Sequence, residues 1–148
     1  MFIRPDSGDK TFKGGLVDMH DFARFYDQFE SERDEMVIVS SPKNIRGEWR
    51  FVVTWEKEIV AQSSYRYQGL ATRMPLAPDG ATKLCQDILV RLEGRYPDEV
   101  FCIDIAEDGD GNFWLLELTS FSAAGLYACN KDAIVRAVSE HARRDFAK

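Results

Sequence analysis

A chain of 148 residues is long enough for one domain with its own core, or for two small subdomains. Its formal net charge of −6 argues against general binding to nucleic acid or to an anionic membrane, although a local basic cleft is compatible with it. No apolar run approaches the roughly 18 residues of a membrane span, and the N-terminal MFIRPDSGDK lacks the pattern of a signal peptide. Cys85, Cys102 and Cys129 are an odd number without CxxC spacing, each inside an apolar pattern. They read as buried free thiols in a reducing, cytoplasmic setting. His20 and His141 both fall in predicted helices, which argues against a zinc site or a Ser-His-Asp triad.

Met1 to Pro5 begins as a strand. The polar segment Asp6 to Gly15 follows, with Lys10 and Lys13 among glycines. Its N–H and ammonium groups can close over phosphates, or it is an ordinary solvated turn; it is not a Walker A loop. Asp18 is placed to cap a helix on which Phe22, Phe25 and Phe29 form a core stripe. A charged connector, Glu30 to Glu35, leads into Met36–Val39, which reads as a buried strand stopped by Ser40-Ser41-Pro42.

Gly47 to Trp55 and Glu58 to Tyr67 form a predicted hairpin turning at Glu56-Lys57. Trp49, Phe51 and Val53 share one face; Glu48, Arg50 and Val52 share the other. By simple alternation Ser64 and Arg66 also share a face. Arg50 and Arg66 can line a phosphate cleft, or Glu48 and Arg50 decorate a solvent face. After a loop with Pro75 and Pro78, the spacing of Leu84, Cys85, Ile88, Leu89 and Leu92 predicts a helix over Ala81–Arg95. A small-residue loop, Ser120 to Asn130, precedes a last helix from Lys131 to about Phe146, with Ile134, Ala137, Val138 and His141 on its buried stripe.

The most informative stretch is Phe101 to Thr119. Alternation on either side of Asp-Gly-Asp-Gly-Asn predicts a hairpin. If Ala106 pairs with Phe113, Asp104 and Glu117 lie on the same face; a slip of one residue would separate them. Two carboxylates among apolar residues must be paired, protonated or bound to a cation, and a hard ion such as magnesium suits such oxygens. The plainer alternative is a sheet edge where they meet water or a lysine. The loop is not an EF-hand: counted from Asp108, the sixth position is Phe113 and the twelfth Thr119, where Gly and Glu are required.

Together, Phe2-Ile3-Arg4-Pro5, the glycine-lysine loop, the Val37–Ser40 strand, Glu48-Trp49-Arg50-Phe51, Asp104-Ile105-Ala106 and Glu117-Leu118-Thr119 resemble the ATP-grasp superfamily over Phe2 to Tyr127. The likeness extends to a little-characterised phage and bacterial clade. It implies an α+β fold of antiparallel sheets with flanking helices. It also implies one ATP-grasp-like domain over 1–148, with a smaller nucleotide-clamping part over about 1–67 and a larger metal-binding part over about 68–148.

The resemblance implies ATP and magnesium as cofactors. Arg4 would stand where relatives carry a phosphate-contacting Lys, with Lys10 and Lys13 over the phosphates. Val39 and Ser40 would lie at the adenine-reading hinge and Glu48 on the ribose side. Asp104 and Glu117, thirteen residues apart, would hold magnesium. Thr119 would be the third ligand, in place of the usual Asn. Arg50 and Arg66 would be the catalytic cations. The chemistry implied is phosphoryl transfer to a carboxylate, giving an acylphosphate that an amine or thiol attacks.

Family members begin with a further N-terminal domain and a first half of the grasp. The expectation is therefore a domain lacking that region, completed by a homodimer or by a separate N-terminal partner chain. Three readings stay open: a ligase for an unidentified small-molecule or peptide acceptor, a non-catalytic nucleotide-binding or protein-interaction remnant, and an unrelated α+β domain whose paired acids are structural.

Overall fold

The computed structural model describes residues 1–6, 12–27 and 36–147, and the side chains of these except 26 and 27. Lys10 and Phe29 lie outside the described residues. The chain divides into two compact units, Met1–Lys43 and Asn44–Lys148.

In the first unit, β1 (Phe2–Pro5) is the centre of a three-stranded antiparallel sheet, flanked by β2 (Gly15–Leu16) and β3 (Val37–Ser40). Asp18 accepts from the His20 N–H at 2.9 Å and caps a short 3₁₀ turn, Met19–Asp21, that runs into α1 (Phe22–Asp27). Two sequence expectations fail in this unit. The 36–39 segment is not a buried strand: β3 pairs only with β1, and Met36, Val37 and Val39 are exposed. Nor is the phenylalanine stripe uniformly core, because Phe22 is exposed while Phe25 packs edge-on against Phe12 at 6.1 Å. A sheet of 4-, 2- and 4-residue strands has little apolar surface to hide such residues.

The second unit is a five-stranded antiparallel sheet in the order β6-β5-β4-β7-β8, formed by β4 (Ile45–Thr54), β5 (Ile59–Tyr67), β6 (Leu70–Ala71), β7 (Val100–Asp108) and β8 (Phe113–Ser120). Alternation on β4 and β7 sends two apolar sets to opposite faces. Trp49, Phe51, Val53, Phe101, Ile103 and Ile105 pack against Ala81, Cys85, Ile88 and Leu89 of α2 (Asp79–Arg91). Val52 and Cys102 pack on the other face with Cys129 and with Ile134 of α3 (Lys131–Phe146). Because β4 and β5 are hydrogen-bonded into the sheet that holds β7, the hairpin over 45–67 belongs to the same unit as Asp104. The α2 helix ends at Arg91, short of the expected Arg95, where Glu93 and Gly94 turn left-handed (φ 47° and 85°).

The last helix has the predicted bounds. Asn130 caps it by accepting from the Ala133 N–H at 3.1 Å. It docks on the β4–β5 turn through Trp55 Nε1 donating to His141 Nδ1 at 3.3 Å and through the Arg144–Glu56 ion pair.

At the β7–β8 turn the Asp108 carboxylate accepts from Trp114 Nε1 at 2.7 Å and from the Asn112 and Asp110 N–H groups at 2.9 and 3.0 Å. These bonds, the Trp114 one foremost, hold its pKa down at about 2, against 3.8 for a free carboxyl. A depressed folded pKa contributes stability that is present above the unfolded value of 3.8 and is lost as pH falls through about 2. The urea midpoint of Asp108→Asn should therefore fall less than that of the wild type between about pH 5 and about pH 2.

All three cysteines are free and buried, as the sequence suggests. Burial pushes the Cys85 and Cys102 thiols up to about 12 and that of Cys129 up to about 11. Among the described residues no helix is long and apolar enough to cross a membrane.

Candidate functional site

One row of the sheet runs across four strands on the α3 face: Ser63 opposes Arg50, Arg50 opposes Asp104, and Asp104 opposes Glu117. The pairing of Asp104 with Glu117 matches the expectation, but its route differs. Near the turn Ala106 pairs with Trp114, not Phe113, a register that would place Asp104 opposite Leu116. A bulge at Leu116, between the Ile105–Leu115 and Asp104–Glu117 pairs, adds one residue to β8 and brings Glu117 round to Asp104.

A second bulge re-aims β5. Trp49 opposes Ser64 while Glu48 opposes Arg66, leaving Tyr65 as the extra residue. Glu48 and Trp49 are consecutive on β4, so Ser64 and Arg66 lie on opposite faces, contrary to simple alternation. Arg66 thereby joins the acidic face, 3.6 Å from Glu48.

Arg50 is neither solvent decoration nor a free cation. Its Nε donates to Asp104 Oδ1 at 2.8 Å and its Nη2 to Oδ2 at 2.6 Å, and the two side chains are only 9% and 5% exposed. Asp104 lies on an inner strand, so it meets neither water nor a lysine at an edge. Burial raises its pKa, and the Arg50 hydrogen bonds and charge oppose that rise. Both oxygens accept from the guanidinium fork, so the carboxylate is ionised within the pair. Burial alone would also weaken the charge on Arg50, but the Asp104 bonds outweigh it and raise its pKa.

Arg50 Nη1 donates to the Gly125 carbonyl at 3.0 Å. The guanidinium carbon lies 5.3 Å from the Tyr127 ring centre and 5.9 Å from that of Tyr65, and the two rings stack at 5.0 Å and 14°. Tyr65 also hydrogen-bonds to Glu48, and burial pushes its hydroxyl pKa up. Ser63 Oγ accepts from the Ala128 N–H at 3.1 Å. Nothing in the sequence marks Ser63, Tyr65, Gly125 or Tyr127 as members of this cluster. Tyr65 is aimed by the bulge, and Tyr127 holds a left-handed backbone (φ 49°) rare for an aromatic residue.

Glu117, beside Asp104, has no basic partner among the described residues. Thr119, two residues on and opposite Cys102, keeps its Oγ1 buried without a hydrogen-bond partner. No group of three or more His, Cys, Asp or Glu side chains that could hold a metal occurs among the described residues. Two carboxylates and a hydroxyl nevertheless suit magnesium, which takes one or two carboxylates and completes its shell with water and phosphate oxygens. The orphaned Thr119 hydroxyl fits that donor set. Arg4, Lys13, Val39 and Ser40 belong to the first unit; Lys13 and Val39 are exposed, and Val39 opposes Ile3 in the sheet.

The alternation of two packed sheet faces with a carboxylate pair on one of them is an ATP-grasp arrangement, and the comparisons agree. An ATP-grasp domain family, the second family of its clade, matches residues 1–137, so the chain belongs to the ATP-grasp family. A search of the curated proteins finds no match. Among solved structures the chain is similar to N5-carboxyaminoimidazole synthetase from Staphylococcus aureus, with 14% identity and a TM-score of 0.54 over 80% of this chain and 33% of that one. It is also similar to the ATP-grasp ligase PsnB complexed with minimal precursor, with 12% identity and a TM-score of 0.56 over 93% of this chain and 47% of that one. The chain thus spans between a third and a half of these structures' lengths.

Proposed function

We propose that this chain is the ATP- and magnesium-binding part of an ATP-dependent carboxylate-amine or carboxylate-thiol ligase. The observation that carries the reading is the opposed pair Asp104 and Glu117, with Glu117 lacking a basic partner among the described residues of an ATP-grasp fold. Asp104, Glu117 and Thr119 would hold magnesium, which when bound neutralises charge on the phosphoryl group in transit. Arg4, Lys10 and Lys13 would contact the phosphates, Val39 and Ser40 the adenine edge, and Glu48 the ribose side.

In the proposed reaction an acceptor carboxylate attacks the γ-phosphorus and ADP leaves. An amine or thiol then attacks the acylphosphate and inorganic phosphate leaves. Arg66 is held only loosely by Glu48 and is 58% exposed, so turning its fork to an incoming oxyanion costs little. Arg50 would act from its fixed position. The acceptor is a small molecule or a peptide, the latter class suggested by the precursor bound to PsnB. A homodimer or separate N-terminal chain would complete its site in the cytoplasm.

A second reading, a nucleotide-binding or protein-interaction module without turnover, draws support from the Arg50 fork closed on Asp104 and from Thr119 as a weaker third ligand. Calorimetric titration with ATP, with and without magnesium chloride, tests both. Magnesium-dependent binding that Glu117→Gln weakens by roughly 10–100-fold is the result expected. Absence of binding in every condition overturns the ligase reading for this chain; binding without ADP release in the presence of candidate acceptors selects the module.

A further inference from the structure

We propose that Arg50 couples the Asp104–Glu117 pair to the loop over 124–130, so that a divalent cation on the carboxylates loosens that loop. The inference rests on the reading of Asp104 and Glu117 as cation ligands. Three contacts of Arg50 carry it. Two of its donors occupy both oxygens of Asp104, a third holds the Gly125 carbonyl, and its flat face lies against Tyr127. One guanidinium therefore serves the carboxylate and the loop together.

A cation that takes oxygens from Asp104 and Glu117 repels the guanidinium on the same carboxylate, strongly so in a site where Arg50 and Asp104 are both buried. Withdrawal of the fork removes the donor from Gly125 and the partner from the Tyr127 ring. What then remains is the Tyr65 stack and the Ala128–Ser63 bond. These must hold Tyr127 in a left-handed conformation that an aromatic residue does not favour. The loop follows directly from β8, the strand that carries Glu117 and Thr119, so its release alters the surface beside the carboxylates.

Coupling of this kind is reciprocal. Contacts that keep Arg50 on Asp104 oppose the cation, so weakening them strengthens cation binding. Tyr127→Leu should bind magnesium about threefold more tightly than the wild type, since it deletes a ring–guanidinium contact from the competing state. A merely structural Tyr127 would give unchanged or weaker binding.

The test is calorimetric titration of the full chain with magnesium chloride alone, together with hydrogen exchange of the 121–130 peptide. Saturating magnesium should speed exchange at Gly125, Tyr127 and Ala128 about tenfold, with β4 and β7 amides unchanged. Ser63→Ala, which removes the acceptor of the Ala128 N–H, must shift magnesium affinity in the same direction as Tyr127→Leu and serves if that variant fails to fold. Magnesium binding with loop exchange unchanged or slowed overturns the coupling and leaves the cation reading intact. Weaker magnesium binding in both variants overturns it equally. Absence of magnesium binding to the wild type overturns the coupling and the cation reading together.

Discussion

Replacing Arg50 with alanine should destabilise the protein by about 3–5 kcal/mol at neutral pH, the largest effect expected of any single substitution in the sheet. The reason is the carboxylate left behind. Asp104 is 4% exposed on an inner strand, and its two oxygens accept from Arg50. Without the guanidinium, burial and the neighbouring charges of Glu117 and Glu48 all push its pKa upward. A folded pKa raised above the unfolded one contributes stability that is complete below the unfolded value of 3.8 and is lost as pH rises through the folded value. The deficit of Arg50→Ala should therefore shrink on acidification, and Arg50→Ala combined with Asp104→Asn should remove that dependence. Urea unfolding followed by circular dichroism at several pH values is the measurement. Arg50→Met with Asp104→Leu should recover most of the loss, because two apolar side chains leave no buried charge. A deficit in Arg50→Ala that stays constant with pH would contradict this account.

Gly47→Ala should cost about 2 kcal/mol through overpacking. A Cβ at Gly47 would run into the Trp49 ring, meeting Cη2 closest and Cζ3 and Cζ2 at 2.9 and 3.0 Å. The ring cannot give way cheaply. It is 5% exposed and packs with Phe113 at 6.3 Å and Tyr67 at 6.5 Å between centroids. Gly15→Ala is the control, since nothing lies within 4 Å of the added carbon. The urea midpoint should fall for the first variant and stay close to wild type for the second.

What was legible in the sequence follows from local periodicity. Period 2 along β4 and β7 assigned Trp49, Phe51 and Val53 to one face and Val52 to the other, and the two packed clusters divide in that way. Period 3.6 likewise identified the buried stripes of α2 and α3, including His141. Turn chemistry placed the β7–β8 hairpin, and the motifs over 2–127 carried the family resemblance that the comparison over 1–137 bears out. The first unit was read less well. A run such as Met36–Val39 looks the same whether it has neighbours on both sides or, as here, on one.

The sequence by itself therefore determined which residues belong to strands and helices, which faces are apolar, and which two carboxylates are candidates for one site. Tertiary structure alone decided who their partners are. The bulge at Leu116 inserts one residue without disturbing composition or hydrophobicity, yet it reverses which β8 side chain meets Asp104. The bulge at Tyr65 likewise sends Arg66 to the face opposite Ser64. Arg50 meets Asp104, fifty-four residues away, only because β4 lies between β5 and β7 in the sheet. Strand order and register are set by the packing of the whole sheet against its two helices, which no local pattern of residues encodes.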